Sequence, residues 1–331
     1  MGCASPGDIV KRALVTGVGG QDGYYLSTLL LRNGYEVLGC GRRGTLGGSR
    51  GDELRSMGVR IIELDLLDRA DTERCVRELN PSEIYNLAGH SFVPASWDDP
   101  AAAVRITSWP IIHLMEAVRN SNRSIRVYQS STSEIFGLSD RTPQNESTQM
   151  APANPYAAAK VFAHNVVQMY RRHYGIFAVS GILYNHESPR RPPTFVTRKV
   201  TQSAARIEAG LQSKIQLGDL DVTRDWGFAG DYVEAIWLMV QAGSPEDFVI
   251  GTGVPHTVRQ LCEAAFGCLG LDYRNYVDVD TSLLRPDQPV RLLADPSRAA
   301  QRLHWNARTS FDELIRMMVE ADRRISSTVS S

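Results

Sequence analysis

One stretch constrains the fold more than any other: Thr16-Gly17-Val18-Gly19-Gly20-Gln21-Asp22-Gly23. It sits between a short apolar run at residues 12–15 and a helix-compatible run at 24–32 that stops at Asn33-Gly34. Glycines at 17, 20 and 23 let the backbone turn sharply. They also bring a helix N-terminus, with its free N–H groups and positive dipole end, against a pyrophosphate. Strand, glycine turn and helix in that order predict a dinucleotide-binding βαβ unit, with Gly17, Gly20, Gln21, Asp22 and Gly23 around the ligand. A glycine-rich turn without a ligand is the plainer alternative.

The following pattern supports the first reading. Residues 36–39, 59–64, 83–87, 125–129 and 177–183 read as strands, and 70–79, 101–119 and 155–174 as helices between them. Pro110 inside the second helix predicts a kink or a late start. Strands alternating with helices, without hairpin signals, predict an α/β fold: a Rossmann-type doubly wound parallel sheet over residues 11–183. Residues 44–51 read as a glycine-rich loop. After residue 183 the pattern loosens. Strands at 215–217 and 248–250, helices at 197–210 and 231–241, a loop at 221–226 and capping boxes at Thr257 and Ser310 imply a smaller mixed α/β region over 184–325. One or two of its elements are expected to return to the first region.

In such a sheet, ligands lie beyond the carboxyl ends of the strands. Gly17, Arg42, Ala88, Thr132 and Asn185 all follow strand ends and can converge on one site. NAD-specific folds place an acid about 20 residues after the glycines to grip the ribose 2′-hydroxyl. Here that place reads Gly41-Arg42-Arg43, and guanidiniums suit a 2′-phosphate, so NADP is expected, with Arg42 as its reader. Arginines that merely face solvent are the alternative. Asp65 and Leu66 fall where adenine would lie, and Leu87, Ala88 and Ser91 fall where the cofactor would pass close by.

Tyr156 and Lys160 stand at i and i+4 behind Asn154-Pro155, a plausible helix start. An ammonium beside a phenol favours phenolate, and so a base for a sugar hydroxyl while a nicotinamide takes hydride from the same carbon. Thr132 is placed to share that oxygen. Glu134, two residues on, adds a carboxylate that plain alcohol oxidation does not need. In the second region Arg190, Lys199, Arg224 and Arg285 are cations suited to a diphosphate, with ordinary surface charges as the alternative for any one of them.

A net charge of −1 gives no general attraction to nucleic acid, and no apolar run has transmembrane length. The five cysteines are scattered and the seven histidines lack ligand spacing, so no metal site is expected. Reduced thiols, and a start without a signal-peptide core, lead to the expectation of a cytoplasmic protein.

From about residue 11 to 323 the chain resembles the extended short-chain dehydrogenase/reductases and, within them, the GDP-mannose 4,6-dehydratase family. The carriers are the glycine turn, Ser131-Thr132-Ser133-Glu134, Pro155-Tyr156-x-x-x-Lys160 and above all Asn185-His186-Glu187-Ser188-Pro189-Arg190-Arg191 with Thr194-Phe195-Val196-Thr197-Arg198-Lys199. The resemblance implies conversion of GDP-D-mannose to GDP-4-keto-6-deoxy-D-mannose with bound NADP. It implies Thr132, Glu134 and Tyr156 as catalytic residues. Lys160, His186 and Arg191 would join the glycine turn, Arg42 and Asp65 on NADP. Asn185, Arg190, Lys199, Arg224 and Arg285 would meet the GDP-sugar. A C5 epimerase or a 4-keto-6-deoxy reductase on the same scaffold, and a non-catalytic NADP sensor, are the alternatives. The family's subunit-joining segment after the arginine pair is replaced by the short loop at 44–51. A homodimer built on the two long helices is therefore expected, with a tetramer as the alternative.

Overall fold

Strands that are apolar along their length need cover on both faces, and this chain supplies it with helices on each side. The computed structural model describes residues 10–89, 91–283 and 291–329. The first part comprises β1 (Arg12–Thr16), α1 (Gln21–Arg32), β2 (Glu36–Gly41), α2 (Gly48–Ser56), β3 (Arg60–Glu63) and α3 (Arg69–Leu79). It continues with β4 (Glu83–Asn86), α4 (Ala95–Asp98), α5 (Pro100–Ser121), β5 (Arg126–Thr132), α6 (Pro155–Tyr174) and β6 (Ala178–Leu183). Then come β7 (Asn185–Glu187), α7 (Val196–Glu208), β8 (Ile215–Leu217), β9 (Thr223–Phe228), α8 (Ala229–Gln241) and β10 (Phe248–Ile250). The last elements are β11 (Pro255–Thr257), α9 (Val258–Gly267), β12 (Val277–Val279), α10 (Ser297–Leu303) and α11 (Phe311–Val329).

Seven strands form one sheet in the order β10-β6-β5-β4-β1-β2-β3, and every pairing in it is parallel. The order reverses between β1 and β4, which opens the ligand crevice expected of such sheets. Leu26 and Leu30 of α1 with Ile236 and Met239 of α8 cover one face. Ile111, Leu114 and Val118 of α5 with Val166 and Val167 of α6 cover the other. β10 and α8 thus come back from beyond residue 183 to complete the first region. The remainder holds small sheets, β11-β9-β7 and β12-β8, packed with α7, α9 and α11 around Val200, Trp226, Phe266 and Ile315.

Three expectations change. The 44–51 stretch is not all loop, because α2 begins at Gly48. Its glycines argue against a helix locally, but a Cβ on Gly51 would clash with the Leu46 carbonyl oxygen, so the tight turn into α2 demands glycine there. Residues 221–226 are not a loop before a helix. Most of them form β9, which pairs with both β7 and β11 and buries Asp225 as acceptor for the N–H groups of Thr252, Gly253 and Ala294. Nor does Pro110 delay its helix. Asp99 accepts from Ala102 N at 2.9 Å to start α5, and the helix runs on through a buried Pro110. Packing against α3 and α6 offsets the lost N–H, a loss of about 3 kcal/mol for an interior proline. Among the described residues no helix is long and apolar enough to cross a membrane.

Candidate active site

The floor of the crevice is a polar chain laid across β1, β4 and β5. Thr16 Oγ1 donates to Asn86 Oδ1 at 2.6 Å, and Asn86 Nδ2 donates to Gln129 Oε1 at 2.7 Å. Gln129 Nε2 in turn donates to the Ser130 carbonyl at 2.8 Å. All three side chains are buried, so these bonds satisfy groups that would otherwise be costly. Lys160 Nζ reaches the same Ser130 carbonyl at 2.7 Å. Thr16 Oγ1 also accepts from the N–H groups of Leu87 and Ala88, which fixes that segment across the crevice.

One corner of the site is made where β5 ends and α6 begins. Thr132 closes β5 and its Oγ1 accepts from Glu134 N at 3.3 Å, opening the short 3₁₀ turn Ser133–Phe136. Asn154 caps α6, its Oδ1 accepting from Ala157 N at 2.8 Å. Its other end, Nδ2, donates to Glu134 Oε2 at 3.1 Å and so aims the carboxylate. Tyr156, only 6% exposed, enters from the first turn of α6 and hydrogen-bonds Thr132. Burial, with the Glu134 charge, raises the Tyr156 pKa well above its ordinary value, against the opposite pull of Thr132 and Arg191. The expected depression by Lys160 is therefore not found. The Lys160 ammonium lies 5.7 Å from the ring centre and is committed to Ser130, and its own burial lowers its pKa to about 8.

The glycine turn lies beside this corner. Gly17 has φ 65°, and a Cβ there would come within 2.9 Å of Ala88 N. A Cβ on Gly23 would lie 2.5 Å from the Val18 backbone. Gly20 caps α1 with no side-chain acceptor, so the first-turn N–H groups have none. This is a cradle shaped for an anion. Exposed Arg42 follows the end of β2, in a turn where its carbonyl accepts from Thr45 N at 3.0 Å. Asp65 and Ser91 are exposed near the crevice. Leu66 is different: its side chain is 8% exposed in the core under α5, and its carbonyl meets His113 Nδ1 at 2.7 Å.

The facing wall runs from β7 into α7. His186 contacts the Tyr184 carbonyl at 2.7 Å and Asp22 Oδ2 at 2.9 Å. Burial opposes charge on both partners, yet the contact prevails: the Asp22 pKa is held to about 2 and that of His186 is raised. Gln21 Nε2 donates to the His186 carbonyl at 3.0 Å, and Ser188 Oγ donates to Gln21 Oε1 at 2.7 Å. The Gln21 and Asp22 side chains thus join α1 to this wall. Arg191 pairs with Glu187 at 3.0 Å and stacks 3.6 Å from the Phe195 ring centre.

The chain matches the family model described as GDP-mannose 4,6 dehydratase over residues 14–318. It belongs to that family. The family member "GDP-mannose 4,6 dehydratase 2" of Arabidopsis thaliana is 42% identical over 324 residues, covering 94% of this chain and 87% of that protein. The human GDP-mannose 4,6 dehydratase is 41% identical over 337 residues, covering 94% and 91%. Among solved structures, UDP-glucose 4-epimerase of Thermotoga maritima, determined with UDP-glucose, superposes with a TM-score of 0.84. It is 25% identical, over 95% of this chain and 99% of that one.

In this family member, Asn185 lies on β7, Lys199 on α7 and Arg224 on β9. Lys199 Nζ donates to the Gln216 carbonyl at 2.7 Å, and Arg224 Nη1 to that of Thr223 at 2.8 Å. Arg285 lies outside the described residues. Arg190, expected at the sugar, instead reaches α1 and α2: it ion-pairs with Glu53 and covers the Tyr24 ring. Ser188 accepts its N–H and turns the chain toward α1. Thr16, Asn86 and Gln129, and Asn154 as donor to Glu134, were not anticipated. Their common signal is a polar residue that follows an apolar strand run or stands ahead of α6.

Proposed function

We propose that this chain converts GDP-D-mannose to GDP-4-keto-6-deoxy-D-mannose and water, with NADP as a bound cofactor. The observation that carries the reading is Glu134, aimed by Asn154 into the corner that also holds Tyr156 and Thr132. Removal of a C5 proton needs such a carboxylate, and alcohol oxidation alone does not.

When bound, the nicotinamide supplies reversible hydride acceptance and, oxidised, a positive charge that favours phenolate. Tyr156 Oη accepts the C4 hydroxyl proton as C4 is oxidised, and Thr132 Oγ1 shares that oxygen. The new ketone acidifies C5. The Glu134 carboxylate takes the C5 proton, and the C6 hydroxyl departs as water. The two protons taken by Tyr156 and Glu134 are returned, one to the departing hydroxyl and one to C5, while C6 is reduced. No proton or electron is left over. Lys160 has three donors, and with one on Ser130 the others suit ribose hydroxyls. Arg42 suits the 2′-phosphate, and His186 and Arg191 close the cofactor side. Asn185, Lys199 and Arg224 serve the GDP-sugar.

In this reading residues 11–183, with β10 and α8, form the cofactor half, and the rest of 184–325 forms most of the sugar-nucleotide half. Trp97 of α4, Val104 and Trp109 of α5, and Phe162 and Met169 of α6 are large apolar side chains on the surface. They support a homodimer on the two long helices, which sedimentation analysis will distinguish from a tetramer. The activity is tested by mass spectrometry of GDP-mannose incubated with the protein and NADP⁺. Loss of one water without net NADPH is expected. Unchanged mass with a new sugar isomer by NMR would replace the dehydratase with an epimerase.

A further inference from the structure

One cluster on the facing wall has no task in the chemistry above. The Arg190 guanidinium carbon lies 3.4 Å from the centre of the Tyr24 ring, and the same guanidinium ion-pairs with Glu53. The Arg190 N–H donates to Ser188 Oγ at 3.0 Å, and that hydroxyl donates to Gln21 Oε1 at 2.7 Å. Three stretches remote in sequence therefore meet at one side chain: the start of α1, the middle of α2 and the turn after β7. All three line a cavity that extends to Gly19 and Gly20 of the glycine turn. Its lining holds four arginines, at 50, 190, 191 and 198, against the single carboxylate of Glu53, which selects an anionic occupant.

Two of those arginines are already committed. Arg191 is paired with Glu187, and Arg198 with Asp322 at 2.7 Å. Arg190 differs in that its partner comes from α2, across the cavity. The flat guanidinium lies against the Tyr24 ring while its edge meets the carboxylate, a geometry a lysine ammonium cannot reproduce.

We infer that Arg190 and Glu53 form a clasp over the phosphate-bearing half of the dinucleotide and slow its release, with Tyr24 as the platform that holds the guanidinium. The inference rests on the reading of this site as NADP-binding. A dinucleotide resting on Gly20 leaves between α2 and the turn after β7, and the ion pair ties those two walls together. A cofactor restored within each turnover has no need to exchange, so a retaining clasp does not limit the reaction. Arg190 is thereby a positioning residue of the cofactor side and not a sugar contact.

The test is the NADPH release rate from the full chain, followed by NADPH fluorescence after mixing with excess NADP⁺. Glu53 is half-buried on α2, with its side chain 40% exposed, so the isosteric Glu53→Gln should leave the fold intact. It should speed release about threefold, the worth of a partly exposed ion pair. Arg190→Gln, which also loses the aromatic contact, should speed it about tenfold. The double variant should be no faster than Arg190→Gln alone, since both act through one pair. Arg190→Lys should fall between wild type and Arg190→Gln. GDP-mannose affinity at saturating NADP⁺ should be unchanged. A wild type that holds NADPH while both single variants release it at the wild-type rate overturns the clasp alone. So does an Arg190→Gln effect confined to GDP-mannose affinity. A wild type that binds no NADPH overturns the cofactor reading and the clasp together.

Discussion

At the corner formed by β5 and α6, Thr132, Glu134, Asn154 and Lys160 have partners no more than 30 residues away in sequence, several of them backbone groups. The facing wall is held otherwise. Ser188 reaches Gln21 across 167 residues, His186 reaches Asp22 across 164 and Arg190 reaches Glu53 across 137. The corner is a local device that a strand end and a helix start set by themselves. The wall exists only once the two regions of the chain are docked. In the proposed reading the reacting groups thus lie on the local side, and the contacts that join the two regions lie on the other.

The strongest test of this division removes a reacting group from the corner. Tyr156→Phe and Glu134→Gln should each lower turnover about 10³-fold, the scale of a lost acid–base group, while NADPH binding and thermal stability stay near wild type. Mass spectrometry of the sugar product and a melting curve check both halves of the statement. Retained dehydration in Glu134→Gln would break the comparison.

The next effect belongs to the wall and depends on pH. Asp22 titrates at about 2 in the fold against an ordinary 3.8, so its contribution is present above the ordinary value and is lost as pH falls toward 2. His186 is raised above 6.5, so its contribution is complete below 6.5 and is lost as pH rises through the higher value. The pair therefore acts fully between about pH 4 and 6.5. Asp22→Asn should lose about 2 kcal/mol there and less at higher pH. Urea midpoints measured against pH provide the check, and a difference independent of pH would show that the wall is not held by this charge pair.

A smaller effect is expected at the open rim. Arg42 is exposed. Arg42→Ala should weaken NADP about tenfold and NAD little, the value of one charge-assisted contact to a 2′-phosphate. Equal loss for both dinucleotides in a fluorescence titration would remove Arg42 as the phosphate reader. The smallest effect separates the two jobs of Asn154. Asn154→Ala should cost about 1 kcal/mol of stability through the lost cap, and Asn154→Ser only a fraction of that. Both lose the amide that aims Glu134, so turnover should fall in both variants, read from kcat beside the melting temperature.

Much of the local side was legible beforehand. A period of alternating strands and helices, a glycine turn and a Tyr-x-x-x-Lys pair behind Asn-Pro are patterns whose meaning lies within a few residues. The polar chain Thr16–Asn86–Gln129 was not legible, because register between strands set it. Neither was the burial of Leu66, which depends on α5 lying over the strand end. β9 read as a loop since its partners, β7 and β11, lie on either side of it in sequence and only the fold brings them alongside. Read locally, Arg190 is one of several cations suited to a diphosphate, and nothing local points to Glu53.

By itself the sequence determined the doubly wound sheet, the glycine turn between β1 and α1 and the place of Thr132, Glu134 and Tyr156 at the β5 and α6 ends, since each follows from backbone preference and short-range periodicity. Tertiary structure alone decided which partner each of the cations Arg190, Arg191 and Arg198 meets, and it raised the Tyr156 pKa where spacing to Lys160 suggested the reverse. The physical reason is common to both. Charge energetics depend on burial and on whichever groups the fold brings near, and neither quantity is written in the spacing of residues along the chain.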